Sequence, residues 1–120
     1  HDVEVVKVGV IYKDEQKKFL CSPDGIIGTE YGLELKNVLP KTQVKYLLAG
    51  TLPMDYWQQV QGSLYITGYD RWDFLSYAPG LPPLILQIPR DEPFICKLAQ
   101  ELDRFCSDLA QVVQQLRKLQ

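Results

Sequence analysis

The sequence is short of the residues that soft-metal and nucleophilic chemistry require. Histidine occurs once, as His1. A Ser-His-Asp triad, a Cys-His pair and a zinc site of the His/Cys type therefore all lack their parts. Cysteine occurs three times, as Cys21, Cys96 and Cys106, an odd number with no Cys-x-x-Cys spacing. Cys96 and Cys106 fall on one expected helix, too far apart to bridge. All three read as reduced thiols of a cytoplasmic protein. No apolar run approaches the roughly 20 residues of a membrane span, and no charged-then-apolar leader opens the chain. A membrane partner is not expected. Positive charge is not in excess either: 13 Lys and Arg face 15 Asp and Glu, for a net charge of −2. Nucleic-acid binders usually carry a basic surplus. DNA as a substrate therefore requires that acidic residues hold divalent cations, whose charge reverses the local field.

What is present suffices for one small domain. The chain has 120 residues, 46% of them hydrophobic, enough for a single core with little stability to spare. Val3 to Tyr12, with alternating Val6, Val8 and Val10, reads as a strand. Asp14 to Lys17 is a polar turn. Lys18 to Ser22 begins a second strand, which Pro23-Asp24-Gly25 interrupts or bends. After a turn over Gly28 to Gly32, Leu33-Glu34-Leu35-Lys36 alternates strictly, with Leu33 and Leu35 on one face and Glu34 and Lys36 on the other. Pro40 to Ala49 can hold a short helix. A second helix starts near Pro53, runs through Tyr56, Trp57, Val60 and Leu64, and ends near Gly68. Trp72 to Tyr77 and Leu84 to Ile88 read as strands joined by a Gly/Pro-rich turn. From Glu92-Pro93 a last helix carries Phe94, Leu98, Leu102, Phe105, Leu109, Val112, Leu116 and Leu119 in steps of three and four, an expected buried stripe whose end can also pack on another subunit. The expected fold is α+β, a mixed central sheet flanked by helices, in one domain over residues 1–120.

The chemistry concentrates between Asp14 and Gln61. Asp24 sits on a forced bend between a proline and a glycine. Glu34 follows ten positions later, and Lys36, two beyond it, shares its strand face. Two carboxylates can hold hard Mg²⁺ through oxygen, with the Leu35 carbonyl as a further ligand. Such an ion neutralises an anionic phosphodiester and activates water. A lysine beside it can orient or deprotonate that water, or stabilise developing charge. Taken alone, each residue has a plainer reading. Pro-Asp-Gly is a common turn, and Glu34 with Lys36 can be the exposed edge of a half-buried strand.

Larger blocks change that balance. Cys-Ser-Pro-Asp-Gly-Ile at 21–26, Gly-Leu-Glu-Leu-Lys at 32–36, Gln-Val-Gln at 59–61 and Trp-Asp-Phe-Leu-Ser-Tyr-Ala-Pro at 72–79 occur in this order, after Ile-Tyr-Lys-Asp-Glu at 11–15. Together they resemble the lambda-exonuclease and YqaJ-like viral recombinase family of the restriction-endonuclease-like nuclease superfamily. The resemblance implies a Mg²⁺-dependent 5′→3′ exonuclease on double-stranded DNA ends, with Mn²⁺ as a substitute ion. It further implies a ring-shaped homotrimer and a single-strand-annealing partner in phage-type recombination inside a bacterial host. It makes Asp24 and Glu34 metal ligands, Lys36 the catalytic lysine, Gln59 a glutamine beside that lysine, and Asp14 a further acidic position. It also implies an N-terminal helical portion ahead of the first strand here, with another acidic residue and the basic residues that hold the DNA end; this chain is expected to be a core lacking that portion. Asn37-Val38-Leu39-Pro40 replaces the family's usual Cys-Pro pair, which alters a loop.

Gln59 and Gln61 cannot share a helix face, and Gln59 is the one expected at the site. Among Tyr56, Trp57, Trp72, Phe74 and Tyr77, core packing outweighs stacking on bases for most. Lys41, Lys45, Arg71 and Arg90 read as solvated surface rather than phosphate contacts. The rival functions are a structure-specific endonuclease of the same superfamily and an inactive nuclease-fold subunit.

Overall fold

The computed structural model describes residues 4–120; His1 and Val3, parts of the readings above, lie outside the described residues. The chain forms two compact units, the first ending at Arg90 and the second being Asp91–Gln120.

In the first unit the expected opening strand is two short ones. β1 (Val5–Val6) pairs with β4 (Gly25–Ile27) in the main sheet. β2 (Ile11–Tyr12) forms a separate antiparallel pair with β3 (Leu20–Cys21). The β-branched run is split around Gly9, a residue that weakens strand interiors; Ser22 Oγ donates to the Gly9 carbonyl at 3.3 Å. The β2–β3 turn is closed by Lys17 N–H to Asp14 O at 3.2 Å, with Lys17 at φ 56°.

The five-stranded sheet has the order β1-β4-β5-β6-β7, with β5 (Tyr31–Asn37), β6 (Arg71–Tyr77) and β7 (Leu84–Pro89). Among the described residues only β5 and β6 run parallel, so the sheet is mixed as expected. The parallel crossover is made by α1 (Pro40–Ala49) and α2 (Met54–Thr67). Proline opens each: Pro40 is at the start of α1 and Pro53 is the N-cap of α2. Each ends on a left-handed glycine, Gly50 at φ 68° and Gly68 at φ 73°, whose N–H returns to Tyr46 O and Leu64 O.

Register decides which side chains meet the helices. Gly32 stands opposite Trp72, Glu34 opposite Phe74 and Lys36 opposite Ser76. This face is the core: Trp72, Phe74, Val60 and Leu64 are all buried. Gln43 of α1, also buried, donates through Nε2 to the carbonyls of Ser76 and Pro82 and accepts from Ser76 Oγ. Gln61 donates to Pro89 O at 3.0 Å. Two buried amides at helix positions that composition treats as polar surface thus tie α1 and α2 to the sheet. On the opposite face Leu33 is buried but Leu35 is 44% exposed. Burying one face of a strand does not require burying the other.

Arg90 is not the solvated cation the sequence suggests. Its Nη1 donates to Leu64 O at 2.8 Å and Tyr69 O at 3.0 Å, closing the carboxyl end of α2. Arg71 is likewise engaged: it stacks on Tyr31 at 3.7 Å and lies 2.9 Å from Asp73. Lys41 and Lys45 are exposed, as expected.

The second unit is α3 (Glu92–Arg117), capped by Asp91, whose carboxylate accepts from Phe94 N–H. Its apolar stripe has the expected spacing, but it is not the expected buried stripe: Phe105, Leu109, Val112, Leu116 and Leu119 are exposed. Periodicity fixes which face of a helix is apolar; it does not say what covers that face. All three cysteines are free, and no helix among the described residues is long and apolar enough to cross a membrane.

Candidate active site

Glu34 lies on β5, an interior strand with β4 on one side and β6 on the other. It is not the exposed edge of the plainer reading; it is only 5% exposed. A buried carboxylate needs partners, and Glu34 has two on one oxygen. Lys36 Nζ lies 2.9 Å from Glu34 Oε1. Gln59 Nε2, from α2, donates to the same Oε1 at 2.9 Å. The i,i+2 spacing on a strand brings the lysine; the position of Gln59 on α2 brings the amide.

Asp24 reaches the same place from the bend before β4. Its N–H donates to Leu33 O at 3.0 Å, and its Oδ2 accepts from Leu35 N–H at 2.7 Å. The exposed carboxylate is thereby fixed at the peptide that follows Glu34. The N–H and C=O of one strand residue point to the same neighbour, so the Leu35 carbonyl also faces the Asp24 side. Asp24, Glu34, Leu35, Lys36 and Gln59 are thus brought together.

Asp14 is not. It sits in the β2–β3 turn, where Oδ1 accepts from Gln16 N–H at 2.9 Å and Oδ2 lies 3.4 Å from Lys13 Nζ. No three His, Cys, Asp or Glu side chains gather as a metal site among the described residues. The side-chain donors at the site are therefore Asp24 and Glu34. Gln61, two positions beyond Gln59, turns into the core as helix geometry demands.

Electrostatics keep Lys36 an ammonium. The hydrogen bond to Glu34 raises its pKa most; partial burial opposes this, and the charge of Glu34 and the nearness of Tyr56 and Asp24 add to the rise. Cys21 is also close to the carboxylates. Burial pushes its thiol pKa up, a hydrogen bond with Ser63 pulls it down, and the Glu34 charge pushes it up again. The thiol stays protonated and is a poor nucleophile.

Four neighbours were not legible as site residues. Tyr56, read as core, has its ring 5.0 Å below Lys36 Nζ. Tyr46 of α1 neighbours Tyr56; burial first, and then that neighbour, push the Tyr46 pKa up. Cys21 and Ser63 border a hollow of about 260 Å³ beside Gln59. The spacing of Tyr56 and Gln59 at i,i+3 was the available signal, since such residues share a helix face. A larger hollow of about 370 Å³ lies on the other face of the sheet, lined by Leu33, Asp73 and Leu75. Neither Asp24 nor Glu34 lines it.

An interior strand presenting Glu-x-Lys beside an aspartate on an adjoining bend is the arrangement of restriction-endonuclease-like proteins. The fold agrees. An alkaline exonuclease from Laribacter hongkongensis, LHK-Exo, superposes with a TM-score of 0.88 at 28% sequence identity over 97% of this chain. The same enzyme in complex with dAMP gives 0.87 at the same identity and coverage. The chain spans 62% of the length of LHK-Exo. No curated protein sequence matches. The YqaJ-like viral recombinase domain matches residues 1–70, more than half of the chain, and the chain belongs to that family.

Proposed function

We propose that this chain is the catalytic core of a divalent-metal-dependent exonuclease that digests double-stranded DNA from an end. The observation that carries this reading is the convergence of Lys36 and Gln59 on Glu34 Oε1, with Asp24 held at the next peptide. The exonuclease activity in the name of LHK-Exo supports it.

The donor set fits a hard ion. Asp24, Glu34 and the Leu35 carbonyl offer only oxygen, which suits Mg²⁺. Two side chains are few, but Mg²⁺ keeps several waters and shares its sphere with substrate phosphate. Mn²⁺ can take the same ligands. When bound, the ion supplies charge neutralisation at the phosphate and Lewis acidity.

The remaining work falls to the chain. Lys36 holds its proton on Nζ and donates to phosphate oxygen as charge builds there. This favours charge stabilisation over the general-base role. Gln59 fixes the rotamer of Glu34 from α2, and Leu35 N–H fixes that of Asp24, so neither carboxylate must reorganise when substrate arrives. Membership of a viral recombinase family supports a role in phage-type recombination with a single-strand-annealing protein. Polarity 5′→3′ and a ring trimer threaded by DNA complete the reading.

The test is digestion of linear duplex DNA with Mg²⁺, with EDTA, and with Lys36→Ala. Activity is expected only with the ion, and Lys36→Ala is expected to lose about 10²–10³-fold, as for removal of one charge-stabilising donor, with an unchanged circular dichroism spectrum. Covalently closed circles should survive. Full activity of Lys36→Ala, or cleavage of closed circles, refutes the proposal.

A further inference from the structure

Lys36 hangs between two partners. One is Glu34 Oε1 at 2.9 Å. The other is the ring of Tyr56, with Nζ 5.0 Å from its centroid. The first partner is contested. Gln59 already donates to that oxygen, and in the function proposed above the carboxylate also serves a metal ion. A dication on Glu34 competes for the same lone pairs and repels the ammonium. The aromatic face is not contested in this way. It attracts an ammonium through its quadrupole, whereas hard divalent ions prefer oxygen ligands.

Tyr56 is itself braced from two sides. Its ring lies 5.3 Å from that of Phe74, which is fully buried on β6. Tyr46, from the last turn of α1, lies beside it. That turn is closed by Gly50 N–H to Tyr46 O at 2.9 Å, so the brace stands on a capped helix end. A half-buried tyrosine fixed between two elements does not follow Lys36; it defines where Lys36 can rest.

We propose that Tyr56, braced by Phe74 and Tyr46, is a positioning residue that holds the Lys36 ammonium at the site when Glu34 is given over to a metal ion. The part played by the metal rests on the nuclease reading; the cradle itself is a property of this chain. Tyr56 touches no reacting atom in this role, and Tyr46 acts one step further back.

The experiment uses the protein with its lysines reductively ¹³C-dimethylated, the Lys36 signal being assigned with Lys36→Arg. Ring current from Tyr56 should shift the Lys36 methyl resonance upfield, with Overhauser contacts to the Tyr56 ring protons. Tyr56→Phe should keep the shift and Tyr56→Leu should abolish it. On addition of Mg²⁺ the parent resonance should remain upfield. On linear duplex DNA, unmethylated Tyr56→Leu should lose about tenfold in kcat with KM little changed, the scale of a partly desolvated cation–π contact. Tyr56→Phe should keep most of the rate. Absence of Overhauser contacts in the parent overturns the proposal even where Tyr56→Leu does not fold. A Tyr56→Phe protein as slow as Tyr56→Leu also overturns it. Should the parent not cut DNA at all, the nuclease reading fails and the resonances still decide the cradle.

Discussion

Gly32 of β5 lies directly beneath the indole of Trp72. A Cβ at this position would stand 2.3 Å from Trp72 Cζ3 and 2.4 Å from Cε3 and Cη2. All three are ring atoms of a side chain only 1% exposed, with Tyr69 stacked alongside at 6.3 Å. The indole cannot yield without moving its neighbours. Overpacking of a tight core costs about 1–3 kcal/mol, and rigid contacts this short put Gly32→Ala at the upper end. For a chain between the size classes, about 4 °C of Tm is lost per kcal/mol, so a fall of about 12 °C is expected. Thermal unfolding followed by near-ultraviolet circular dichroism and tryptophan fluorescence reads it. Gly9→Ala is the control: its Cβ would meet nothing within 4 Å, and its Tm should not move. Adding Trp72→Phe to Gly32→Ala should recover part of the loss, because the smaller ring vacates the contact. A Gly32→Ala protein melting within about 2 °C of the parent would refute the close-packing argument, given the stability–Tm relation used here. Gly32 shares a face with Glu34 and Lys36, so the nuclease activity proposed above should fall along with stability.

Other outcomes are equally open to measurement. Gln43→Leu removes three hydrogen bonds to Ser76 and Pro82, the two to Ser76 being buried; it should cost about 2–4 kcal/mol, because the stranded Ser76 groups lose their partner away from water, as read by denaturant unfolding. On the proposed function, Gln59→Leu should leave the fold intact and lower Mg²⁺ affinity or kcat about 10–100-fold, the usual effect of losing a residue that orients a metal ligand, measured by calorimetry and digestion rate. Burial raises the Asp73 pKa, and Arg71 opposes this without cancelling it. A raised carboxyl favours the folded state most below its unfolded pKa of about 3.9, and that contribution is lost as pH rises through the folded value. Relative to Asp73→Asn, the parent should therefore lose stability as pH increases from about 4 through the raised pKa, followed by urea midpoints; a difference that does not change with pH refutes it.

Much of this was legible in the sequence because it depended on local rules. Strand alternation put Glu34 and Lys36 on one face. Pro23 and Gly25 marked the bend at Asp24. Pro53 and Gly68 bounded α2, and helix geometry separated Gln59 from Gln61. What was hidden depended on partners distant in the chain. A β-branched run reveals that it is extended, not that Val5–Val6 and Ile11–Tyr12 join different sheets. Glutamine is ordinarily a surface residue, and only the register against Ser76 explains why Gln43 is buried. Tyr56 read as core because aromatic residues usually are, and half of that reading holds: one face meets Phe74 while Lys36 lies over the ring. Asp14 carried a family expectation; its carboxylate is held in the β2–β3 turn by Gln16 N–H and lies 3.4 Å from Lys13 Nζ, contacts that the acidic run alone does not reveal.

The pairing of β5 with its neighbours has a consequence for errors in folding. Side chains on a strand repeat every two residues, so a slip of a single position turns the whole set over. Here such a slip would present Leu33 and Leu35 to α2 and carry the carboxylate and the ammonium to the far side of the sheet. Misalignment of this one strand would disarm the protein completely, even where most of the backbone ladder re-formed.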